Sequence, residues 1–184
     1  GSSAASDVYK RQHWAKTSIE AAASAGWVNG VSAGEFQPNG TLTRAAFVTM
    51  LGRMAGVKDT DYTTSVFRDV PDGEWYTSFV AWATENGIVD GYGDGIFLPQ
   101  NNITRQEMAT MLYRLAKAEK VEEDKLASFP DAASVADWAK DAMNWAVSTE
   151  IVNGSTHDDK VNYLDPTATA LRCQAAAVAC RYLA

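Results

Sequence analysis

Apolar positions along this chain fall into two helical patterns that alternate. The first is a short stripe at i, i+4 and i+7, seen at Ala15, Ile19 and Ala22, at Tyr76, Val80 and Ala83, and at Ala139, Met143 and Ala146. The second is a longer stripe, seen at Phe47, Met50, Leu51 and Met54, at Met108, Met111, Leu112 and Leu115, and at Ala175, Val178, Ala179 and Tyr182. Gly26 and Gly87 follow the first and second short stripes, where a left-handed residue commonly ends a helix; Glu150 stands there in the third and is a less comfortable stop. A short apolar step (Val28, Val89, Val152), a glycine turn and an extended piece ending at Pro38, Pro99 or Pro166 lead to each longer stripe. The pattern predicts helix, glycine-rich loop, helix, three times over, joined by polar linkers at 56–66 and 117–128.

The regularity is an internal repeat. Adding 61 to first-repeat numbers gives the second repeat, as in Trp14 to Trp75, Gly30 to Gly91 and Pro38 to Pro99. The third follows the second at an offset of 63 early (Trp75 to Trp138, Gly91 to Gly154) and 67 late (Pro99 to Pro166), so four extra residues fall in the loop around 155–160. The repeats run 13–58, 59–120 and 121–184. Residues 1–12 read as a cloning remnant followed by adaptor-derived residues. Three equivalent amphipathic helices can bury their stripes against one another, which predicts an all-α fold around a central three-helix bundle of approximate threefold symmetry.

The longer helices open on a recurring step, Leu42-Thr43-Arg44, Ile103-Thr104-Arg105 and Ala170-Leu171-Arg172. Each arginine lies six residues after the proline and nine before a second arginine (Arg53, Arg114, Arg181), for which a structural role is expected. Thr104 with Glu107 forms a capping box, Thr43 has Ala46 in the glutamate position, and Leu171 has no hydroxyl and no acidic partner. An arginine at a helix start, beside free backbone N–H groups and the positive dipole end, is a candidate anion site.

A net charge of -7 argues against general nucleic-acid binding, and no apolar run approaches the length that spans a bilayer. Cys173 and Cys180 sit seven apart in a helical pattern, about 10 Å by the helical rise, too far for a disulfide. No metal-ligand spacing surrounds His13 or His157, no serine sits in a nucleophile elbow, and Asp90-Gly91-Tyr92-Gly93-Asp94-Gly95 lacks the alternating ligands of a calcium loop. No metal, cofactor or catalytic residue is therefore expected. The carboxylate pairs Asp69 with Glu74 and Asp158 with Asp159 look like turn or surface groups.

The order Phe67-x-Asp69-Val70, Trp75, Trp82-Ala83, Gly87-Ile88-Val89-x-Gly91, Gly95-x-Phe97-x-Pro99, Ile103-Thr104-Arg105-x-Glu107 resembles the S-layer homology (SLH) domain, as three tandem motifs over residues 13–184. The resemblance implies a three-pronged, pseudo-threefold spindle that holds exported proteins to the envelope, usually of Gram-positive bacteria. It implies a monomeric, secreted cell-wall anchor that does not insert into membrane. Its implied ligand is secondary cell wall polymer, typically pyruvylated N-acetylmannosamine, bound in grooves between adjacent repeats. Carried onto this chain, the implied contacts are Arg44, Arg105 and Arg172 for the pyruvyl carboxylate and Thr43 and Thr104 as caps. Gly30, Gly91 and Gly154 would admit the ligand, and Trp14, Trp75 and Trp138 are anchors or sugar platforms, core ahead of platform. Trp82 and Trp145 are expected between helices and Trp27 in the core. The capping residues rank the Arg105 groove first, Arg44 second and Arg172 as degenerate. A protein–protein or lattice-assembly module without glycan recognition is the alternative.

Overall fold

The computed structural model describes residues 15–27 and 37–184. Among them are six α-helices: α1 (Lys16–Ser24), α2 (Arg44–Met54), α3 (Thr77–Glu85), α4 (Arg105–Leu115), α5 (Lys140–Ser148) and α6 (Arg172–Leu183). The fold is helical, as the periodicity predicts. The chain divides into two compact units, Gly1–Asn102 with Leu171–Ala184, and Ile103–Ala170.

The predicted short stripes are buried throughout: Ala15, Ile19, Ala22, Tyr76, Val80, Ala83, Ala139, Met143 and Ala146 are all core residues. Each short helix stops in the same way. Beyond α3, Gly87 takes φ 70 while Ile88 N–H reaches Ala83 O (2.8 Å) and Gly87 N–H reaches Thr84 O (3.2 Å). Gly26 (φ 78) closes α1 with the same pair of bonds, Trp27 to Ala22 and Gly26 to Ala23. Glu150 adopts φ 61 to close α5 with Ile151 to Ala146, carrying the strain that glycine avoids.

The longer helices bury Phe47, Met50, Leu51, Met108, Met111, Leu112, Ala175, Val178 and Ala179. Burying each large side chain of this kind stabilises by about 1.5–3 kcal/mol. Sequence periodicity shows which face is apolar and leaves the partner open. In the first unit α2 packs on α3 and α6 on α1; in the second, α4 packs on α5. The second helix of each repeat thus takes the first helix of the following repeat as partner, with the last returning to the first.

These pairs match in size at one position. Gly52 of α2 meets Phe79 of α3 so closely that a Cβ there would lie 2.5 Å from the ring. The equivalent of Gly52 in α4 is Tyr113, whose ring meets Trp145 edge-on (5.7 Å), while Ala142 stands in the place of Phe79. In α6 it is Cys180, whose thiol reaches Ser18 O of α1 (3.4 Å). A large ring thus stands opposite a small residue in the first two pairs, whereas Cys180 and Ser18 are both small. Gly52→Ala, a helix-interior change that propensity alone favours by about 1 kcal/mol, is expected instead to destabilise by about 1–3 kcal/mol through overpacking. Urea denaturation of the variant checks the sign; a stabilised variant would show that Phe79 withdraws freely.

The insertion predicted in the third loop forms a short antiparallel hairpin, β1 (Ser155–Thr156) with β2 (Asn162–Tyr163). Its turn is closed by Lys160 N–H to His157 O (2.9 Å) and His157 N–H to Val161 O (3.0 Å), with Lys160 at φ 65. Both cysteines are free, Cys173 buried and Cys180 half-buried. No described helix is long and apolar enough to cross a membrane.

Candidate functional site

The heads of α2, α4 and α6 are each docked onto the proline loop of the next repeat. Arg44 N–H donates to Asn101 O (2.8 Å) and Ala45 N–H to Pro99 O (3.0 Å). Arg105 N–H donates to Ala168 O (3.0 Å) and Gln106 N–H to Pro166 O (2.8 Å). Arg172 N–H donates to Gly40 O (2.9 Å) and Cys173 N–H to Pro38 O (2.9 Å). The third amide goes to the cap, Ala46 N–H to Thr43 Oγ1 (3.1 Å) and Glu107 N–H to Thr104 Oγ1 (3.3 Å), and Thr104 N–H completes its box with Glu107 Oε1 (3.0 Å). The expectation of free backbone donors at these helix starts is therefore corrected. The amides that would hold an anion hold the neighbouring loop, because unpaired N–H groups seek the nearest carbonyl. At α6 the sequence reading also loses too much: Gln174 Oε1 accepts from Leu171 N–H (2.9 Å), so half of the box survives without an acid.

What remains for a ligand is the arginine side chain. Arg105 donates its Nε to Leu164 O (3.0 Å), and Arg44 donates its Nε to Phe97 O (3.0 Å). Fixing Nε sets the plane of the guanidinium and the direction of its terminal nitrogens. The three arginines differ in burial. Arg44 is only 5% exposed, sandwiched between the rings of Tyr92 (4.5 Å) and Phe97 (4.6 Å). Arg105 and Arg172 are half-buried, and desolvation lowers both guanidinium pKa values from the ordinary range. Exposure thus places Arg44 furthest from a dissolved anion, whereas the capping residues alone rank Arg172 last.

The aspartate of the aromatic-x-Asp step, which the sequence places before a helix-starting turn, organises two of the three loops. Asp69 accepts from Phe97 N–H and Leu98 N–H (both 2.8 Å), and Asp131 accepts from Leu164 N–H and Asp165 N–H (both 2.9 Å). These carboxylates grip the amides beside the carbonyls that hold Arg44 and Arg105. The residue just before each proline is strained: Gln37, Leu98 and Asp165 take φ 52, 59 and 49. Asp69 is thus a loop clamp, and not the turn or surface group expected. The recurrence of Phe67-x-Asp69 as Phe129-x-Asp131 marks the two clamps in the sequence, where it reads as an anchor before a helix-starting turn and leaves the distant loop unnamed.

The candidate glycines and tryptophans are placed as follows. Gly91 has φ 78, and a Cβ there would lie 2.5 Å from Ile96 O and from the Phe67 ring; at Gly154 the Asn162 side chain occupies that space (2.6 Å). Both glycines are thus required by the protein's own packing. Trp75 and Trp138 are 51% and 59% exposed, which corrects the preference for core: each lies at the entry to its helix, before the buried stripe begins. Trp75 borders a recess of about 540 Å³ lined with Asp59, Tyr62, Asp72, Glu74 and Thr77, and neither Tyr92 nor Phe97 lines it. Trp14 and Gly30 lie outside the described residues. Trp82 and Trp145 are buried as expected, and Trp27 is half-buried against the α1·α6 core. Arg53, Arg114 and Arg181 occupy last turns, where a cation complements the helix dipole.

The Arg105 site carries further charge. His157 Nε2 meets both oxygens of Asp165 (2.8 and 3.1 Å) and its ring stacks on Tyr163 (4.0 Å). The Tyr163 hydroxyl donates to Asp159 (2.7 Å). The hydrogen bond to Asp165 raises the His157 pKa above its ordinary value, and the bond from Tyr163 lowers that of Asp159. Among the described residues no cluster of His, Cys, Asp and Glu could hold a metal ion.

The S-layer homology domain family matches residues 6–48, 66–109 and 128–158, more than half of the chain and all three repeats. The chain belongs to this family. Relatives of the SLH chain include an amylopullulanase of Thermoanaerobacterium thermosulfurigenes, 35% identical over 91% of this chain and 9% of its own length. A surface-layer 125 kDa protein of Lysinibacillus sphaericus is 31% identical over 90% of this chain and 14% of its own. A cellulosome-anchoring protein of Acetivibrio thermocellus is 31% identical over 53% of this chain and 23% of its own. The SLH chain thus spans less than a quarter of the length of each of these relatives.

Proposed function

We propose that this SLH chain is a non-catalytic module that anchors a protein to the bacterial cell surface by binding cell-wall polymer. One observation carries the reading. Nearly the same stretch, about nine-tenths of this chain, recurs in relatives named for unrelated work, an amylopullulanase and a surface-layer protein. A segment common to such different proteins supplies what they share, and shared attachment accounts for it where shared chemistry does not. The relative named as cellulosome-anchoring supports the same reading.

The ligand we propose is the pyruvylated N-acetylmannosamine end of secondary cell wall polymer. Its ketal carboxylate suits the forked donors of a guanidinium held in a set plane. Arg105 is the foremost contact, because it is clamped through Leu164 yet half-exposed; Arg172 and Arg44 follow. Thr43 and Thr104 act as caps that set the helix starts, and Trp14, Trp75 and Trp138 are candidate sugar platforms beyond the arginines.

Arg105→Gln is expected to weaken binding of the pyruvylated monosaccharide about tenfold or more, the loss of a charge-assisted pair. Calorimetry on the variant, with circular dichroism to verify its fold, gives the result. Pull-down on cell walls before and after acid extraction of the polymer tests the wider reading. Capture should vanish after extraction and be competed by the free sugar. Undiminished capture on stripped walls would instead establish a protein–protein or lattice contact.

A further inference from the structure

One position distinguishes the Arg105 groove from the other two. The left-handed residue before the proline is uncharged in the first two repeats, Gln37 and Leu98, and is Asp165 in the third. Its amide is gripped by Asp131 and the adjoining Leu164 carbonyl holds Arg105, so the carboxylate of Asp165 stands one residue from the arginine's anchor. Asp165 and Asp131 both act on the Arg105 guanidinium as opposing charges, against the desolvation that lowers its pKa.

Asp165 has its own partner. The hairpin that the four-residue insertion creates brings His157 onto both Asp165 oxygens, and the Tyr163 ring beneath His157 limits its rotation. The charged groups facing His157 are Asp165, Asp159 and Asp131; Asp158 and Lys160 belong to its own turn, and Tyr163 donates to Asp159. Among the described residues no aromatic pair covers Arg105 as Tyr92 and Phe97 cover Arg44, so its groove is tuned by charge where that of Arg44 is closed by rings.

We infer that Asp165 is the specificity-determining residue of the Arg105 groove, admitting an anionic sugar when His157 is protonated and opposing it when His157 is neutral. The inference rests on the glycan reading above. With neutral His157, Asp165 offers Arg105 an internal counter-charge and repels an arriving carboxylate. With His157 charged, the ion pair neutralises Asp165 and leaves Arg105 to the ligand. Linkage gives the sign. A histidine raised by its partner gives a stabilising pair that is fully present below about pH 6.5 and is lost as pH rises through the raised value. A ketal carboxylate stays ionised across that range, so the pH response belongs to the protein.

The probe is a methyl glycoside of pyruvylated N-acetylmannosamine, titrated between pH 5.5 and 8 against wild type, Asp165→Leu and His157→Gln. Leucine already occupies φ 59 at position 98, so the backbone at 165 tolerates it. Wild-type affinity is expected to rise roughly three- to tenfold on acidification. Asp165→Leu should bind tightly throughout, and His157→Gln should stay weak and lose the pH response. A ligand-free arm measures the His157 pKa by NMR: Asp165→Asn should lower it, and Arg105→Gln, by freeing Asp165 from a competing cation, should raise it. An unchanged His157 pKa in Arg105→Gln overturns the inference, as does sugar binding with a flat pH profile in wild type. Sugar that binds no form at any pH overturns the glycan reading, and this inference with it.

Discussion

Asp69→Ala is expected to destabilise the first unit by about 3 kcal/mol. The side chain accepts two backbone N–H groups, from Phe97 and Leu98, at 2.8 Å each. Hydrogen bonds to a charged acceptor contribute roughly 1.5–3 kcal/mol each, and Asp69 is half-buried, which favours the lower figure. Losing both also releases the strained φ 59 at Leu98 and frees the Phe97 carbonyl that orients Arg44. Asp69→Asn keeps one strong acceptor and should cost about half as much. Guanidinium denaturation monitored by tryptophan fluorescence measures both. A loss below 1 kcal/mol in the alanine variant would mean that the loop holds its shape without the clamp. Asp131→Ala provides the same test in the second unit, where the released amides are those of Leu164 and Asp165.

Gly91→Ala is expected to be as severe, for a different reason. The backbone at φ 78 costs an L side chain about 1–2 kcal/mol, and the added Cβ would meet the Ile96 carbonyl and Phe67 at 2.5 Å. Overpacking against a backbone atom adds about 1–3 kcal/mol, for a total of about 2–5 kcal/mol. Gly93→Ala separates the two costs. Gly93 has φ 84 and open space around its missing Cβ, so it should lose only the conformational part. Equal melting temperatures for the two variants would show that the contact with Phe67 and Ile96 yields easily.

The elements were legible in the sequence because periodicity and punctuation are local. Ile19, Val80 and Met143 fall on the buried face at the predicted spacing, Thr43 and Thr104 cap where expected, and Glu150 takes the left-handed φ assigned to it. What escaped is pairing at a distance. Nothing local shows that Asp69 reaches the amides of Phe97, 28 residues on, or that the amide of Ala45 seeks the carbonyl of Pro99. The stripe on α2 likewise gives its apolar face without naming α3 as the partner. Sequence also treats the three arginines as equals apart from their caps, whereas Tyr92 buries one and Asp165 confronts another. The tryptophans misled because a repeated aromatic suits a core or a surface, and only the turn preceding each helix decides which.

The three helix pairs do not cost the same to assemble. Gly52 and Phe79 are joined by a short linker, whereas Cys180 and Ser18 are 162 positions apart. Closing the longer loop in an unfolded chain costs about 1.6 kcal/mol more by the logarithmic rule. The α1·α6 pair is also built largely from alanine, with Ile19 as its largest fully buried side chain, so little apolar area offsets that cost. This pair is therefore a seam. It is expected to be the last contact to form during folding and the first to fray, so hydrogen exchange should be fastest where the two ends of the repeat array meet.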